Sequence, residues 1–226
     1  METKNSKLVI VGARDLAELA YHYFDQDSPY AVCAFAVDGA YLKEPSLCGL
    51  PIVPLEQLDS EFPAVEHDVF VAIGIGAVNH LRAEKLAAIE SRGYRAASFV
   101  SSRAIVGRNV QIRPNTMVMD GAILMPSVEI GRDCIVFPQS GVGYGSKIGD
   151  HCWIATATVA GHSSLGAYTF VGVRATVGPG VTLGESCVVG SGAVVLSDAP
   201  GQSVFRAPKA RRSKASTRFL KSFGLR

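Results

Sequence analysis

The 226-residue chain lacks several features that would assign it to a common class of protein. No apolar run approaches the roughly 20 residues that a helix needs to cross a bilayer. Residues 1–7 are polar, and the apolar run at residues 8–11 is too short for a signal peptide. The formal net charge is only +2, so we expect no nucleic-acid partner. These absences predict a soluble, cytoplasmic protein.

Cysteine is also scarce, and the spacing of the cysteines argues against the usual disulfide and zinc-binding frameworks. The five cysteines are Cys33, Cys48, Cys134, Cys152 and Cys187. Their odd number and the lack of a C-x-x-C pair argue against disulfides and against a zinc ribbon. His151 and His162 are eleven residues apart with no third ligand nearby, so we expect no catalytic metal either. We expect His151 to be an ordinary surface residue of a turn.

The first hundred residues alternate strand and helix signals. Strand patterns are "LVIV" (8–11), "AVCAFAVDG" (31–39) and "DVFVAIGIG" (68–76), and "AASFV" (96–100) is a possible fourth. Helical patterns follow Gly12 and again span residues 77–93, while the proline-containing "GLPIVPLEQL" (49–58) is expected to be a connector. This order predicts a small Rossmann-like α/β domain over residues 1–100.

The turn after the first strand is a weak phosphate-binding signal. It carries Gly12 but lacks the other two glycines of a dinucleotide fingerprint, which argues against tight NAD or FAD binding. The helix N-terminus after Gly12, with Arg14 beside it, still offers donors to a phosphate, and Asp38 ends the second strand where a carboxylate can meet a ribose. A nucleotide site and a purely structural turn both remain open.

The second half repeats every six residues. The aliphatic positions are Val106, Ile112, Val118, Leu124, Ile130, Val136, Val142, Ile148, Ile154, Leu165, Val171, Val177, Leu183, Val189 and Val195. Mostly small residues precede them by two positions, and glycine often follows. This period fits short strands joined by tight turns, so residues 101–205 are predicted to form an all-β parallel β-helix of hexapeptide repeats, about 18 residues per coil. One break occurs, because Ile154 and Leu165 are eleven residues apart.

The motifs "IGDHCWIATATV", "LGAYTFVGVRATVGPGVTLGESCVVGSGAVV" and "VFRAPKARR" resemble the hexapeptide-repeat acyltransferases. Together with "KLVIVGARDLAELA" and "GYRAASFVSSRAIV", they resemble the branch of sialic acid O-acetyltransferases and bacillosamine N-acetyltransferases. The resemblance implies a left-handed β-helix, a homotrimer, acetyl-CoA bound between neighbouring subunits and a nucleotide-linked sugar in the first domain. It also implies a bacterial role in surface-polysaccharide or glycan synthesis. We expect substrate contacts at Gly12, Arg14, Asp38, Gly74 and Asn79.

The chain departs from this family at the catalytic base. Where the family has a histidine before an "IG" step, "SGVGYGSKIGD" has Tyr144, followed by Gly145. The family often has another polar residue or histidine near the position of Trp153, which is also missing. A tyrosine ordinarily has a pKa near 10 and is a poor base at neutral pH.

Three interpretations remain open. His162 serves as the base, re-aimed by the shortened turn before it and lying one coil after Tyr144. Alternatively, no protein base is needed because an unprotonated amine attacks directly while Tyr144 orients the sugar. Or the protein has lost catalysis and is a binding trimer. Because a hydroxyl needs a base more than an amine does, the missing histidine favours N-acetylation over O-acetylation.

The resemblance places acetyl-CoA contacts on the later coils, at Gly161, Gly172, Val173, Arg174, Gly190, Ser191 and Lys209. The glycines among them have an alternative role, which is only to turn the coil. The last segment, residues 206–226, carries eight basic and no acidic residues. Its final "TRFLKSFGLR" can contact an anionic membrane, although simple fraying is favoured.

Overall fold

The first part of the chain folds as a sheet flanked by helices in a computed structural model that describes residues 4–212. Its elements are β1 (Ser6–Val11), α1 (Asp15–Gln26), β2 (Tyr30–Val37), β3 (Ser46–Leu47), β4 (Leu50–Pro54), α2 (Leu58–Glu61), β5 (His67–Val71) and α3 (His80–Ser91), with 3-10 turns at Gly39–Tyr41 and Leu55–Gln57. The strand order is β3-β4-β2-β1-β5, and only β3 and β4 run antiparallel. The predicted Rossmann-like α/β arrangement is therefore confirmed.

Two details of this sheet differ from the prediction. The proline-containing segment 49–58 is not only a connector, because β4 within it pairs with β2 and buries Ile52 and Val53. Its prolines are tolerated because β4 lies near the sheet edge, with only the two-residue β3 beyond it. The segment "AASFV" does not supply a full strand to this sheet. Ala96 makes a single bridge to Val69, and the rest joins the next domain.

The remaining strands are all two residues long. They are β6 (Phe99–Val100), β7 (Ile105–Val106), β8 (Gln111–Ile112), β9 (Met117–Val118), β10 (Ile123–Leu124), β11 (Glu129–Ile130), β12 (Ile135–Val136), β13 (Gly141–Val142), β14 (Lys147–Ile148), β15 (Trp153–Ile154), β16 (Thr158–Val159), β17 (Ser164–Leu165), β18 (Phe170–Val171), β19 (Thr176–Val177), β20 (Thr182–Leu183), β21 (Val188–Val189), β22 (Val194–Val195) and β23 (Val204–Phe205). Each pairs in parallel with strands one coil away, so this part of the chain is the predicted left-handed parallel β-helix.

The β-helix has three sheets, which we name by their outer faces. The covered sheet (β6, β9, β12, β15, β18, β21, β23) packs against the first domain. The polar sheet (β8, β11, β14, β17, β20) presents residues such as Gln111, Glu129 and Lys147. The apolar sheet (β7, β10, β13, β16, β19, β22) presents the exposed side chains of Ile105, Ile123 and Val194.

The interior is built from the two tracks that the sequence pattern predicts. The aliphatic residue of each hexapeptide is buried from Val118 to Val195. The smaller residues two positions earlier are buried as well, and their hydroxyls bond backbone carbonyls, as Thr116 Oγ1 does to Gly131 O at 2.8 Å. Val106 departs from the prediction, since it is 42% exposed. It lies in the first coil, at an open end of the stack, where the apolar sheet has no earlier strand.

A buried ion pair joins the two domains. The α3 residue Arg82 inserts its guanidinium into a turn of the β-helix, where Nε donates to Asp133 Oδ1 at 2.9 Å and Nη2 donates to the Asp133 carbonyl at 2.8 Å. Both side chains are fully buried. Asn115 Nδ2 also donates to Asp133 Oδ1, at 2.6 Å. The carboxylate is thus fixed by groups from both domains.

We predict that Arg82→Ala lowers the free energy of unfolding by about 3–5 kcal/mol, because it leaves the buried Asp133 carboxylate without its counter-ion. The matched control is Arg92→Ala, which breaks a surface pair with Asp59, in which the two side chains are 26% and 60% exposed, and should cost about 0–1 kcal/mol. Urea unfolding followed by circular dichroism measures both. Equal effects of the two substitutions would contradict a structural role for the buried pair.

Candidate functional site

The break in the six-residue period lies in one turn of the β-helix. Strands begin six residues apart from β7 to β22, except that β16 follows β15 after five. The shortened turn contains Thr156 and joins the covered sheet to the apolar sheet. Strand partners across it are consequently 17 residues apart, as in Gly141–Thr158 and Lys147–Ser164, whereas the other partners from β6 to β22 are 18 apart. Apart from this turn, the six-residue spacing of the strands is unchanged from β7 to β22.

Each of the three edges of the β-helix is a stack of turns containing residues with positive φ. The Tyr144 corner joins the apolar and polar sheets and holds Asn109, Ser127, Gly145, His162 and Gly180. The His151 corner joins the polar and covered sheets and holds Asn115, Asp133, His151, Tyr168 and Ser186. The Arg174 corner joins the covered and apolar sheets and holds Gly121, Gln139, Thr156, Arg174 and Gly192.

The slip leaves the backbone of the His162 turn in the usual conformation of its corner, so our expectation that it re-aims this residue is corrected to a change in what His162 stacks on. The shortened turn is on the Arg174 corner, and His162 adopts φ 58°, close to the 60° of Ser127 on its own corner. Because the register across the slip is 17 residues, His162 stacks on Gly145 rather than on Tyr144. The coil equivalent of Tyr144 is Gly161.

Tyr144 and His162 nevertheless lie in contact. Their rings pack edge to face with centroids 5.3 Å apart, and the His162 amide donates to the Tyr144 carbonyl at 2.8 Å. Tyr144 is 49% exposed and His162 is exposed too. A Cβ on Gly145 would come within 3.1 Å of His162 Nδ1, so the ring lies over a position that glycine keeps clear. The structure thus brings both predicted catalytic residues to one corner beside the apolar sheet.

His151 has a more constrained environment than sequence reasoning suggested. Its Nδ1 lies 2.8 Å from Asp133 Oδ2, and its side chain is only 14% exposed. The prediction of an ordinary surface residue is therefore wrong. The repeat pattern did contain a signal for this contact, because Asp133 and His151 occupy the same turn position in successive coils, 18 residues apart. What the sequence could not show is that Arg82 arrives from another domain to fix the carboxylate.

The His151 corner and α3 form a cleft of about 410 Å³. One wall is a stack of three rings, in which Tyr168 lies between His151 (centroids 4.8 Å apart) and His80 (4.0 Å apart). Facing it are Glu84 of α3 and the ion pair of Arg132 with Glu90. Glu90 is the first cause of the raised pKa of Arg132, outweighing the opposite effect of burial. Acidic and basic side chains that can form hydrogen bonds therefore line the same cleft.

The predicted substrate residues of the first domain mostly share one sheet edge. Gly12, Asp38 and Gly74 follow the carboxyl ends of the adjacent parallel strands β1, β2 and β5, and Arg14 precedes α1. Gly12 has φ 130°, and a Cβ there would lie 2.5 Å from the Ala72 carbonyl oxygen, so only glycine fits. Asp38 Oδ1 accepts a bond from Lys85 Nζ at 2.7 Å.

Asn79 is placed differently from the other four substrate candidates. It is fully buried, and its Oδ1 is 3.5 Å from Arg82 Nη1. Its Nδ2 has no hydrogen-bond partner among the described residues. Asn79 therefore belongs to the polar network beneath the cleft rather than to the open sheet edge.

The predicted acetyl-CoA residues fall into two groups. Gly172, Val173 and Arg174 stack one coil below Gly190 and Ser191 on the Arg174 corner, where a Cβ on Gly172 would lie 2.7 Å from the Ser191 nitrogen. Gly161 lies instead on the Tyr144 corner, and Lys209 is exposed beyond β23. Gly161 and the set formed by Gly172, Val173 and Arg174 border opposite edges of the apolar sheet. Because the coils pack closely at Gly172, a glycine is needed at this position for structural reasons as well.

One cluster of potential metal ligands lies elsewhere in the described part of the chain. Glu18 and His22 of α1 and Cys48 of the β3–β4 turn have ligand atoms within 4.8 Å of one another. Glu18 and His22 are exposed, and burial raises the pKa of Cys48. A raised thiol pKa disfavours the thiolate that binds metals.

Within residues 4–212, no helix is both long and apolar enough to cross a membrane. The predicted tail spans residues 206–226, and its closing "TRFLKSFGLR" lies outside the described residues.

Comparison with known proteins gives a consistent picture. The family model for bacterial transferase hexapeptide repeats matches residues 162–197. The chain is similar to PerB from Caulobacter crescentus, a structure solved with CoA and GDP-perosamine, at 26% identity over 88% of this chain and 93% of that one, with a TM-score of 0.79. A search of curated protein sequences found no match.

Two further structures share the fold. The acetyltransferase domain of PglB from Neisseria gonorrhoeae is 20% identical over 88% of this chain and 96% of that one, with a TM-score of 0.79. WeeI from Acinetobacter baumannii AYE is 22% identical over 88% of this chain and 96% of that one, with a TM-score of 0.76. Both α/β domain and β-helix are thus shared with these proteins.

Proposed function

We propose that the protein transfers the acetyl group of acetyl-CoA to the amino group of a nucleotide-linked sugar, because the bacterial transferase hexapeptide model matches part of its β-helix and an α/β domain precedes that β-helix. The single observation that carries this proposal is the match over most of both chains to PerB, which binds CoA and GDP-perosamine. No step of this transfer requires a metal.

The donor side of the site is proposed to lie along the apolar sheet. Arg174 and Lys209 are exposed cations suited to CoA phosphates, and the partly exposed Gly190 lies on the Arg174 corner. At the opposite edge of the apolar sheet, beside the partly exposed Gly161, Tyr144 and His162 present a hydroxyl and an imidazole. These groups can bond the thioester or the extended pantetheine arm.

The acceptor side is proposed to be the carboxyl edge of the first domain's sheet. The N-terminus of α1 and Arg14 provide donors for phosphate, and Asp38, held by Lys85, provides an acceptor for a ribose or base hydroxyl. Ligands of open α/β sheets commonly bind at this edge. The lack of a three-glycine turn fits a nucleotide sugar better than a dinucleotide.

An amine acceptor is favoured over a hydroxyl. An amine needs less help to lose its proton, and the position of the family's histidine is occupied by Tyr144. We therefore assign the protein to synthesis of an N-acetylated sugar for a bacterial surface polysaccharide, such as the O-antigen of lipopolysaccharide, or for another glycan. Acetyl-CoA and nucleotide sugars as substrates are consistent with action in the cytoplasm.

We also propose a homotrimer. The apolar sheet exposes Ile105, Ile123 and Val194, whereas its middle outward positions are small, as at Gly141. An uncovered apolar face with room for close approach is typical of a contact between copies. In such an assembly the Tyr144 corner of one copy lies at the subunit boundary.

The proposed reaction is tested with acetyl-CoA and pairs of UDP-, GDP- and dTDP-linked sugars that differ only in an amine or a hydroxyl at one carbon. We expect thiol release and a mass gain of one acetyl group with an amino sugar. Turnover restricted to the hydroxyl partners would contradict N-acetylation. Absence of both turnover and stabilisation by CoA would favour the alternative, a catalytically impaired trimer that binds nucleotide sugars.

The donor assignment predicts that Arg174→Asn and Lys209→Gln each weaken CoA binding about tenfold, which corresponds to about 1.4 kcal/mol. Asparagine is chosen at position 174 because it tolerates the positive φ of that turn. Arg108→Gln, at an exposed arginine of the first coil, serves as the control. Isothermal titration with CoA measures all three, and equal affinities for the variants and the wild type would exclude a phosphate contact.

The assembly assignment predicts that Ile123→Asp dissociates the trimer, because it places a charge on the apolar sheet. Val65→Asp changes an even more exposed residue, outside the β-helix, and should leave the trimer intact. Light scattering coupled to size exclusion gives the mass. A wild-type protein with the mass of one chain would refute the trimer.

A further inference from the structure

The His151–Asp133 pair is a hydrogen-bonded histidine–carboxylate pair beside a cleft. All five histidines fall within the described residues 4–212, and His151 is the one among them that forms a hydrogen-bonded pair with a carboxylate there. Asp133 itself is fully buried and held in place on its other oxygen by Arg82 and Asn115. Its Oδ2 is left to accept from His151 Nδ1.

This arrangement sets the imidazole tautomer. An ionised carboxylate can only accept hydrogen bonds, so Nδ1 of His151 carries the proton and Nε2 keeps its lone pair. The ring is further held by the stack with Tyr168. A fixed ring with a free Nε2 and a buried carboxylate behind Nδ1 has what a general base needs, because the carboxylate stabilises the imidazolium that forms.

The cleft in front of His151 adjoins the acceptor side. His80, in its wall, begins α3, which follows the loop after β5, and that loop contains Gly74 at the proposed nucleotide edge. The charged and titratable groups lining the cleft are Glu84, Glu90, Arg132, His80 and Tyr168. Glu90 and Arg132 neutralise each other, whereas Glu84 is exposed without an ion pair in the described chain. Such a lining suits the hydroxyls and the neutral amine of an amino sugar, which can both donate and accept hydrogen bonds.

We propose that His151, oriented by Asp133, is the proton acceptor for the sugar amine, which enters the cleft beside α3. This inference rests on the proposed acetyl transfer. The amine nitrogen bonds to the thioester carbon while its proton passes to His151 Nε2. The carbon–sulfur bond breaks, and the departing CoA thiolate takes a proton from the imidazolium, directly or through water. In this proposal His151, on the His151 corner, supplies the base that Tyr144 does not provide on its own corner.

Two copies are needed for this site. Within one chain the strand Lys147–Ile148 separates the Tyr144 corner from the His151 corner, so a single amine cannot touch both. In a head-to-tail trimer the face of one copy meets a different surface of the next. The proposal requires that the donor held along the apolar sheet of one copy faces the cleft of its neighbour, and that His162, which contacts no carboxylate among the described residues, serves the donor side.

The test compares His151→Asn with His162→Asn. Both positions have positive φ, and Asn115 and Asn109 already occupy the equivalent turns, so both variants are expected to fold. For His151→Asn we expect kcat/KM to fall about 10²–10⁴-fold, with CoA affinity unchanged. His162→Asn should lose less activity. His22→Asn, on the exposed face of α1, is the control.

A second variant distinguishes loss of the catalytic side chain from a folding defect. His151→Gly suits the same backbone conformation and opens space for imidazole, which should restore part of the lost rate if the side chain acts as a base. Near wild-type kcat/KM in His151→Asn, or a larger loss of kcat/KM in His162→Asn than in His151→Asn, would overturn the proposal. No turnover by the wild type would instead refute the acetyl transfer on which it rests, whereas turnover insensitive to His151 would refute the base alone.

Discussion

The buried contact between Arg82 and Asp133 is the interaction on which the remaining arrangement depends. It crosses from α3 of the first domain into a turn of the β-helix, and neither charge is exposed. An ion pair so far from water is rarely favoured for stability alone, since desolvation offsets most of the attraction. What it supplies is position, because one carboxylate is held by the first domain and in turn holds His151. The two domains therefore meet at a defined chemical group and not merely across an apolar surface.

The packing around this contact gives it rigidity. The outward side chains of the covered sheet, among them Met117, Ile135 and Trp153, join the core of the first domain together with Phe24 and Phe99. Close packing makes an apolar interface of this kind rigid, but hydrophobic attraction itself has no directional preference. The hydrogen-bonded ion pair adds a directional contact between the two domains. The cleft beside α3 is thus a recess with rigid walls, in contrast to the exposed Tyr144 corner.

The sequence predicted those features of the fold that are repeated or local. Hexapeptide aliphatics identified the coils and their interior because every coil obeys the same rule, and strand–helix alternation identified the α/β domain. Prediction failed where a long-range partner decides the outcome. Segment 49–58 became a strand because β2 offered it a pairing edge, and the effect of the slip on His162 required knowing which of three corners had lost the residue. His151 was misjudged because its environment depends on Arg82, 69 residues earlier in the chain.

A repeated coil also offers a route by which a catalytic role could move from one corner to another. Turn positions of a β-helix recur on each corner with the same positive φ, a conformation that Asn, Asp and His adopt more readily than most residues. A histidine can therefore enter any of these turns at little conformational cost, and an acid at the same position of the preceding coil lies within reach. Asp133 and His151 satisfy both conditions. Loss of a base at one corner need not abolish proton transfer, provided that another corner already holds such a pair beside the acceptor.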